Sequence, residues 1–485
     1  MLLALLRRLC DATCARWQPV RVGARTLLDV LQTITPDHSH RMLHESLHML
    51  LLCQVCKAAR AVVRMLRPDV NLVLADKFLC NPNEAVDQLL TLATIFNLRS
   101  LSIDNTRKHT WTPASVAKLA HVVGSAPQLV KLAICKQNLQ NNDLYALLPA
   151  ITQNTVLKHL NLEDNKIDHQ GLFYLIPSLA MQGGKMQGGM QSLDLRGNPI
   201  GEYAGWLMSM GLGNYWCLQH LRLGGCKLGP HGVVHVVNAL PACTALVELT
   251  LGAVDMQAIG ACALWRFARE CSTLQVLDVQ QNDIKEAGCD DAAYGLRGCA
   301  RLEDVDMSSN TINARGMRIL AHEFRWLTNL KRLNLTHNHI ADAATALFGG
   351  LQHCALLEIL VLDSVRIEDQ GATALAGMLL YTDRLRGLYL AGNQIGNPGA
   401  ARCASVLPNC TSLKQLDLAE NSIGDAGVQA IMHAFPDCRA LRAVDLQSNE
   451  FCTARAQAAL RALQPACPQL RCYIFPDESD REGLD

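Results

Sequence analysis

Apolar and polar positions repeat along most of this chain with a period close to 28 residues. The pattern is L-x-x-L-x-L-x-x-N-x-I, and it is clearest in the units that start at Leu157 and Leu413. Most steps between units are 28 residues, and the longest, 33 residues, contains MQGGK followed at once by MQGGM at 181–190. The glycines of this five-residue duplication predict a flexible loop. Thirteen units start at Leu98, Leu129, Leu157, Met190, Leu218, Leu246, Leu274, Leu302, Leu330, Leu357, Leu385, Leu413 and Leu441.

Each unit is predicted to contain a strand, a turn and a helix. Leu416 and Leu418 alternate with Gln415, Asp417 and Ala419, which is the two-residue period of a strand with one buried face. Past the Asn position a glycine frequently opens a second segment whose apolar residues follow at helical spacing. A degenerate unit is expected before the array, at Leu72, Leu74 and Leu79, and another after it, at Leu470, Tyr473 and Phe475. Periods of this size mark solenoids with atypical end units.

The Asn at the ninth repeat position is expected to hydrogen-bond the backbone where the strand ends and the chain turns. In most units this position is Asn, but Val254 and Val365 occupy it in two of them. Valine cannot make that bond. We therefore expect local irregularity in these two units.

The motif and the 28-residue period resemble the ribonuclease-inhibitor-like class of leucine-rich repeat, over about four-fifths of the chain. The resemblance implies an α/β solenoid, a curved horseshoe with parallel strands on the concave face and helices on the convex face. It also implies a protein that binds other proteins, without naming the partner. We divide the chain into a helical N-terminal cap at 1–65, the repeat solenoid at 66–475 and an acidic tail at 476–485.

Composition narrows the functional class. The chain has 44 basic and 44 acidic residues, 49% hydrophobic residues and no apolar run long enough to cross a membrane. We therefore expect a cytoplasmic protein, monomeric outside its complex, with a protein partner and neither nucleic acid, membrane nor cofactor. A cilium or cytoskeletal address is the alternative, and a mitochondrial one is less favoured.

Seven of the 20 cysteines occupy one repeat position. They are predicted to be a ladder of small core side chains rather than disulfides, since a core of this size needs no cross-links. The seven are Cys243, Cys271, Cys299, Cys354, Cys410, Cys438 and Cys467.

Residues 1–65 lie outside the repeat and carry three signals for other functions, of which the first two are a transit-like start and a zinc-binding motif. The basic start, MLLALLRRLCDATCARWQPVRVGAR, has the charge of a mitochondrial transit peptide but is poor in serine. His44-Glu45-Ser46-Leu47-His48 fits H-E-x-x-H, which places two zinc ligands on one helix face. A catalytic zinc site also needs a third ligand and a cleft. An amphipathic capping helix with surface histidines is the preferred interpretation, and no metal site is assigned.

The segment LLLCQVCKAAR, residues 50–60, followed by Leu72 and Leu74, resembles the second half of an F-box. Ala59 stands where that family has tryptophan. The resemblance implies that Leu50, Leu51, Val55 and Cys56 dock a cullin-ligase adaptor. A plain capping helix is the preferred interpretation, and the F-box-like module is the alternative.

Strand residues on the concave face are the candidate partner-binding site. The middle units present mainly acidic side chains, and the units around Val361 and Tyr389 are the least polar. We therefore predict a groove for a basic, elongated protein segment. Its residues are Asp194, Arg196, Arg222, Glu248, Asp278, Asp304, Asp306, Arg332, Val361, Tyr389, Asp417 and Asp445.

The sequence as a whole predicts a scaffold or adaptor without a catalytic centre. Two alternatives of other classes stay open: an F-box-type substrate receptor of a cullin ubiquitin ligase, and a structural subunit of a cytoskeletal or axonemal assembly.

Overall fold

The computed structural model describes residues 69–74, 97–104, 111–183, 189–451, 453–463 and 465–474. The chain divides into two compact units, Met1–Pro199 and Ile200–Asp485. We call them unit 1 and unit 2. In both, one parallel strand per repeat alternates with a helical segment, which confirms the predicted α/β solenoid.

Unit 1 contains five described strands that pair in chain order and in parallel. The first, which pairs with the second, confirms the degenerate unit expected before the array, although Leu79 lies outside the described residues. The strands are β1 (Asp69–Leu74), β2 (Asn97–Asp104), β3 (Lys131–Cys135), β4 (His159–Asn161) and β5 (Ser192–Asp194). The helices are α1 (Pro113–Gly124), α2 (Asn141–Gln153) and α3 (His169–Gly183).

Unit 2 contains ten described strands, again parallel and in chain order. The last strand, which pairs with the one before it, confirms the degenerate unit at the end of the array, although Phe475 lies outside the described residues. The strands are β6 (His220–Arg222), β7 (Glu248–Thr250), β8 (Val276–Asp278), β9 (Asp304–Asp306), β10 (Arg332–Asn334), β11 (Ile359–Val361), β12 (Gly387–Tyr389), β13 (Gln415–Asp417), β14 (Ala443–Asp445) and β15 (Arg471–Tyr473).

The described helices of unit 2 vary in length from four to fourteen residues, and short 3₁₀ turns follow or precede several of them. They are α4 (Glu202–Leu212), α5 (Gly229–Ala239), α6 (Gln257–Glu270), α7 (Ala292–Gly295), α8 (Ala314–Phe324), α9 (Ala344–Leu351), α10 (Asp369–Leu379), α11 (Asn397–Ala404), α12 (Asp425–Ala434) and α13 (Thr453–Leu463).

The core of each repeat follows the predicted alternation. On β13 the middle residue Leu416 is buried, while Gln415 and Asp417 on either side of it are partly exposed. Leu413, Leu418 and the apolar residue that ends the motif are buried as well. Burying these side chains between strands and helices stabilises every repeat through its neighbours.

The cysteine ladder is part of this core. Six of its seven members are buried, Cys410 is half-buried, and all seven are free thiols. Burial raises the pKa of Cys299 and of Cys354 to about 12, so these thiols stay protonated and behave as small apolar side chains.

The Asn that recurs at the ninth motif position links successive repeats, as the hydrogen-bonding prediction requires. The Asn282 side-chain oxygen accepts from the backbone N–H groups of Val254 and Met256, both at 3.1 Å, in the repeat before it. Its Nδ2 donates to the carbonyls of Leu251 at 2.6 Å and Val279 at 2.9 Å. Equivalent bonds to the preceding repeat are made by Asn165, Asn198, Asn310, Asn338, Asn393, Asn421 and Asn449.

The two valine units lack this side-chain bond. In the Val365 unit the backbone carbonyl takes its place, because Ile340 N–H, the counterpart of the Ile312 N–H that donates to Asn338, donates to Val365 at 3.1 Å. In the Val254 unit Gly229 N–H donates to the Val254 carbonyl at 2.9 Å, but Gln257 N–H makes the same bond to the Asn282 carbonyl at 3.0 Å, so this bond is not a replacement. The residue after each valine has a positive φ, 60° at Asp255 and 64° at Arg366. Two Asn-containing units share that feature, so the predicted irregularity is small.

Two details differ from the sequence prediction. Most helices begin two or three residues before the repeat glycine; α12, for example, begins at Asp425 and Gly427 is its third residue. A Cβ on Gly427 would lie 2.6 Å from Ile423 Cγ2 and 2.8 Å from Asn397 Oδ1, so the glycine permits close packing rather than starting the helix. The MQGG duplication is not wholly a loop, because α3 continues through Gly183.

Candidate functional site

The strand face of unit 2 is the surface formed by the first and third residues of strands β6–β15. Parallel pairing sets these residues side by side in two rows. The third-residue row runs Arg222, Thr250, Asp278, Asp306, Asn334, Val361, Tyr389, Asp417, Asp445, Tyr473. Ten of the twelve predicted partner-binding residues lie on this face; Asp194 and Arg196 belong to unit 1.

At the β6–β7 end the charges are neutralised within the face. Arg222 donates from Nε to Glu248 Oε1 at 2.5 Å and from a terminal nitrogen to Oε2 at 2.6 Å. His220 Nδ1 lies 2.9 Å from Glu248 Oε2. Burial alone would raise the pKa of Glu248, but the hydrogen bonds from Arg222 and His220 outweigh it and lower that pKa. This end therefore offers little charge to a partner.

The β8–β10 region carries three carboxylates and one basic side chain. Arg332 lies 3.3 Å from Asp304, and Asn334 donates to Asp306 at 2.8 Å. Burial raises the pKa of Asp304 in spite of Arg332. Burial also raises the pKa of Asp278, where hydrogen bonds from Gln280 offset the effect only in part and Asp306 and Asp304 add to it.

The β11–β12 region is the least polar part of the face. The Tyr389 ring lies over Gly387, because a Cβ on that glycine would be 2.9 Å from Tyr389 Cε2. Its hydroxyl donates to Gln415 Oε1 at 2.5 Å. Beside the ring are Ile359 and Val361, both partly exposed. The missing side chain at position 387 thus allows the tyrosine to form an apolar floor.

The β13–β14 region is acidic again. Asp417 and Asp445 lie side by side in the register. Burial, with the nearby Asp445, Asp363 and Glu420, raises the pKa of Asp417 to about 6, although Ala419 N–H donates to it. Asp363 lies two residues beyond β11, where burial raises its pKa although the Ala391 N–H and His337 lower it in part. Within the described part of the chain, no basic side chain forms an ion pair with Asp278, Asp363 or Asp417.

The carboxylates of the third-residue row also have a structural role that the sequence did not predict. Their Oδ1 accepts the N–H two residues further on, closing the turn after the strand. Asp278, Asp306 and Asp417 do so at 3.0, 3.0 and 2.9 Å. Asn161 and Asn334 make the same bond at 2.8 and 3.1 Å. An amide therefore suffices for the turn, and the negative charge is not needed for it.

The two predicted site residues of unit 1 form a local ion pair. Asp194 is 1% exposed, and Arg196 donates to its two carboxylate oxygens from Nε and a terminal nitrogen. Arg196 also contacts Glu163 at 3.1 Å. A partner reaching this spot would meet Arg196 and not the carboxylate of Asp194. The participation of both residues in binding stays a prediction.

The predictions for the N-terminal segment fall outside the described residues. These include the adaptor-docking residues Leu50, Leu51, Val55 and Cys56, the H-E-x-x-H motif and the transit-like start. Among the residues that the structure does describe, no group of three or more His, Cys, Asp or Glu side chains could hold a metal ion. None of the helices in that part of the chain is long and apolar enough to span a bilayer.

Exposed aromatic side chains on the helices were not anticipated. In unit 2, Tyr203 and Trp206 lie on α4 with ring centroids 5.3 Å apart, and Met210 and Trp216 nearby are also exposed. In unit 1, Tyr174 packs edge-on against both Phe173 and Tyr145. The available signal was α4 itself, whose sequence EYAGWLMSMGL has one charged residue and is apolar on every side.

Comparison with known proteins supports the repeat assignment. The family described as Leucine Rich repeat has a model that matches residues 153–175, 270–290, 327–344 and 409–432. No curated protein sequence matches the chain. Similar solved structures include an internalin from Listeria monocytogenes, with 17% identity and a TM-score of 0.44 over 86% of this chain and 89% of that chain. A likeness this distant bears on neither function nor partner. The matched segments and the repeated strand, turn and helix show that the chain is a leucine-rich-repeat protein.

Proposed function

We propose that this protein is a binding scaffold whose strand face in unit 2 holds a basic segment of another protein. The observation that carries the proposal is the set of face carboxylates that are partly withdrawn from water without a neutralising base. Asp278 and Asp417 are only partly exposed, and burial raises the pKa of each. Cationic side chains from a partner would remove this unfavourable electrostatic energy.

A purely structural role does not explain the charge of these residues. The turn after the strand is closed equally well by Asn161 and Asn334, so asparagine would serve at 278 and 417 without the cost of burying a charge. At 306 the second carboxylate oxygen also accepts from Asn334 at 2.8 Å. The presence of carboxylates on a partly buried face fits a function in recognition, since electrostatic complementarity sets specificity and association rate.

The test is a triple variant, Asp278→Asn, Asp306→Asn and Asp417→Asn, which removes three negative charges and keeps the turn-closing oxygen. The matched control converts three exposed acids away from the strands, Asp290, Asp383 and Asp437, to Asn. Full-length wild type and both variants are used as baits at about 50 and 150 mM salt, and bound proteins are quantified by mass spectrometry.

The proposal predicts proteins that bind the wild type and the control equally, are lost from the triple variant, and weaken as salt rises. If the triple variant retains the partners of the wild type at both salt concentrations, the strand face is not the binding surface for a basic segment. Circular dichroism of each bait excludes misfolding as the cause of a loss.

A further inference from the structure

The acidic residues of the strand face form two separate pads, and an apolar region lies between them. The first pad is Asp278 and Asp306 on β8 and β9, and the second is Asp417 and Asp445 on β13 and β14. Val361 and Tyr389 on β11 and β12 occupy the same row between the pads. The row therefore reads acidic, apolar, acidic.

The region between the two pads does not favour a partner segment that is basic along its whole length. Arg332 on β10 extends onto the face between them and is 41% exposed on its side chain, with Asp304 as its partner at 3.3 Å. A cationic side chain placed over β10 would meet this guanidinium, and the acid nearest the middle of the row, Asp363, lies two residues beyond Val361 with its Oδ1 accepting from Ala391 N–H at 2.8 Å. Basic groups are thus favoured at the two ends of the row, where carboxylates lie in pairs, and less favoured over Arg332.

The strand spacing converts the row into a distance. Neighbouring strands lie about 4.8 Å apart, so four steps from Asp306 on β9 to Asp417 on β13 span about 19 Å. Val361 lies two steps, about 10 Å, from Asp306. Building on the proposed function, we infer that the strand face recognises a segment with two basic side chains about 19 Å apart and an apolar side chain between them.

Polyproline II peptides can test this spacing of basic side chains. The polyproline II helix rises about 3.1 Å per residue and returns to the same face every third residue. In the capped peptide RPPLPPR the arginines and the leucine share one face, with the arginines about 19 Å apart. RPPRPPL and RPPLPPPPPR keep the two arginines and the leucine on one face, with the arginines about 9 and 28 Å apart. RPPSPPR keeps the charge and spacing and lacks the apolar group.

Binding of these labelled peptides to the full chain is measured by fluorescence anisotropy at low salt. We expect RPPLPPR to bind most tightly, with about a fivefold loss for each spacing variant, since one basic group then misses its pad and a single exposed ion pair contributes up to about 1 kcal/mol. RPPSPPR should also bind less tightly than RPPLPPR. In the variant Val361→Ser this preference for leucine should disappear while the preference for spacing remains.

Affinities that are equal for the three spacings, or no binding by any peptide, would overturn the two-pad inference. The proposed function is decided separately by the triple variant in the partner capture. Loss of partners there, together with flat peptide affinities, would mean that the face binds basic proteins without measuring a spacing.

Discussion

Replacing Asp417 with asparagine should stabilise the protein at neutral pH, and the effect should vanish in acid. The structural reason is that Asp417 is a partly buried carboxylate whose neighbours Asp445, Asp363 and Glu420 are also acidic. Asparagine keeps the oxygen that accepts from Ala419 N–H at 2.9 Å. The substitution therefore removes the charge and leaves the turn intact.

The magnitude follows from the pKa of Asp417, which burial raises from 3.8 to about 6. Each unit of difference between the folded and unfolded pKa corresponds to about 1.4 kcal/mol, so ionised Asp417 destabilises the fold by about 2 to 3 kcal/mol at pH 7.5. Between the two pKa values the folded state binds more protons than the unfolded state. Stability from this group is therefore lost as pH rises from about 4 to about 6.

The assay is urea unfolding of wild type and Asp417→Asn, followed by circular dichroism at pH 7.5 and pH 4. Because repeat arrays can unfold in more than one step, hydrogen exchange of amides in β13 supplies a local measure of the same free energy. The variant should be more stable by about 2 to 3 kcal/mol at pH 7.5 and by well under 1 kcal/mol at pH 4.

The control Asp383→Asn, at an exposed position, should change the free energy of unfolding by no more than about 0.5 kcal/mol at either pH. Equal stability of Asp417→Asn and wild type at pH 7.5 would refute the reasoning, as would a gain that persists unchanged at pH 4. If the proposed function is right, the stabilised variant also binds basic partners less tightly, an exchange of stability for function that is common at binding sites.

Three further predictions follow from the packing. Asn282→Ala should destabilise unit 2 by about 3 kcal/mol or more. The N–H groups of Val254 and Met256 and the carbonyl of Leu251 each lose a hydrogen-bond partner, which costs about 1 kcal/mol or more per group. Amide hydrogen exchange at 254–256 that matches wild type would contradict this prediction. Iodoacetamide at pH 8 should modify the half-exposed Cys217 long before the buried Cys299. Because the pKa of Cys299 is raised to about 12, only about one Cys299 thiol in ten thousand is ionised at this pH. Equal labelling of the two cysteines in the native protein, measured by mass spectrometry, would be inconsistent with a buried cysteine ladder. Gly427→Ala should lower the thermal midpoint of unfolding, because the new Cβ would collide with Ile423 and Asn397. Gly377→Ala, in open space on the exposed side of α10, should raise the midpoint slightly, because alanine has the higher helix propensity. A rise with both substitutions would show that position 427 is not tightly packed.

The stabilising interactions and the candidate site draw on the same repeat position. A carboxylate in the third strand position closes a turn through one oxygen and leaves the other oxygen toward the face. At Asp306 the second oxygen accepts a hydrogen bond from Asn334, and the charge of Glu248 is neutralised by Arg222. Acidic composition along a strand row therefore overstates the charge that a partner meets, and only local geometry shows which carboxylates are compensated.

The repeat, the strands, the buried alternation and the role of the motif asparagine could all be predicted from the amino-acid sequence. These features follow from local rules. Burial in a solenoid has a fixed period, and the side-chain amide of Asn282 can both accept from backbone N–H groups and donate to backbone carbonyls. The position of the helix starts and the continuation of α3 into the MQGG duplication did not follow, since helix ends depend on contacts with the preceding repeat.

Which charges are neutralised, and where an apolar floor forms, could be seen only in the folded chain. Parallel register places residues about one repeat apart side by side, but whether Arg222 reaches Glu248, or the Tyr389 ring lies over Gly387, depends on side-chain rotamers and on the space left by the neighbouring strand. The same holds for the exposed aromatic side chains of α4, because a helix that is apolar all round reveals its uncovered side only when its packing partners are known.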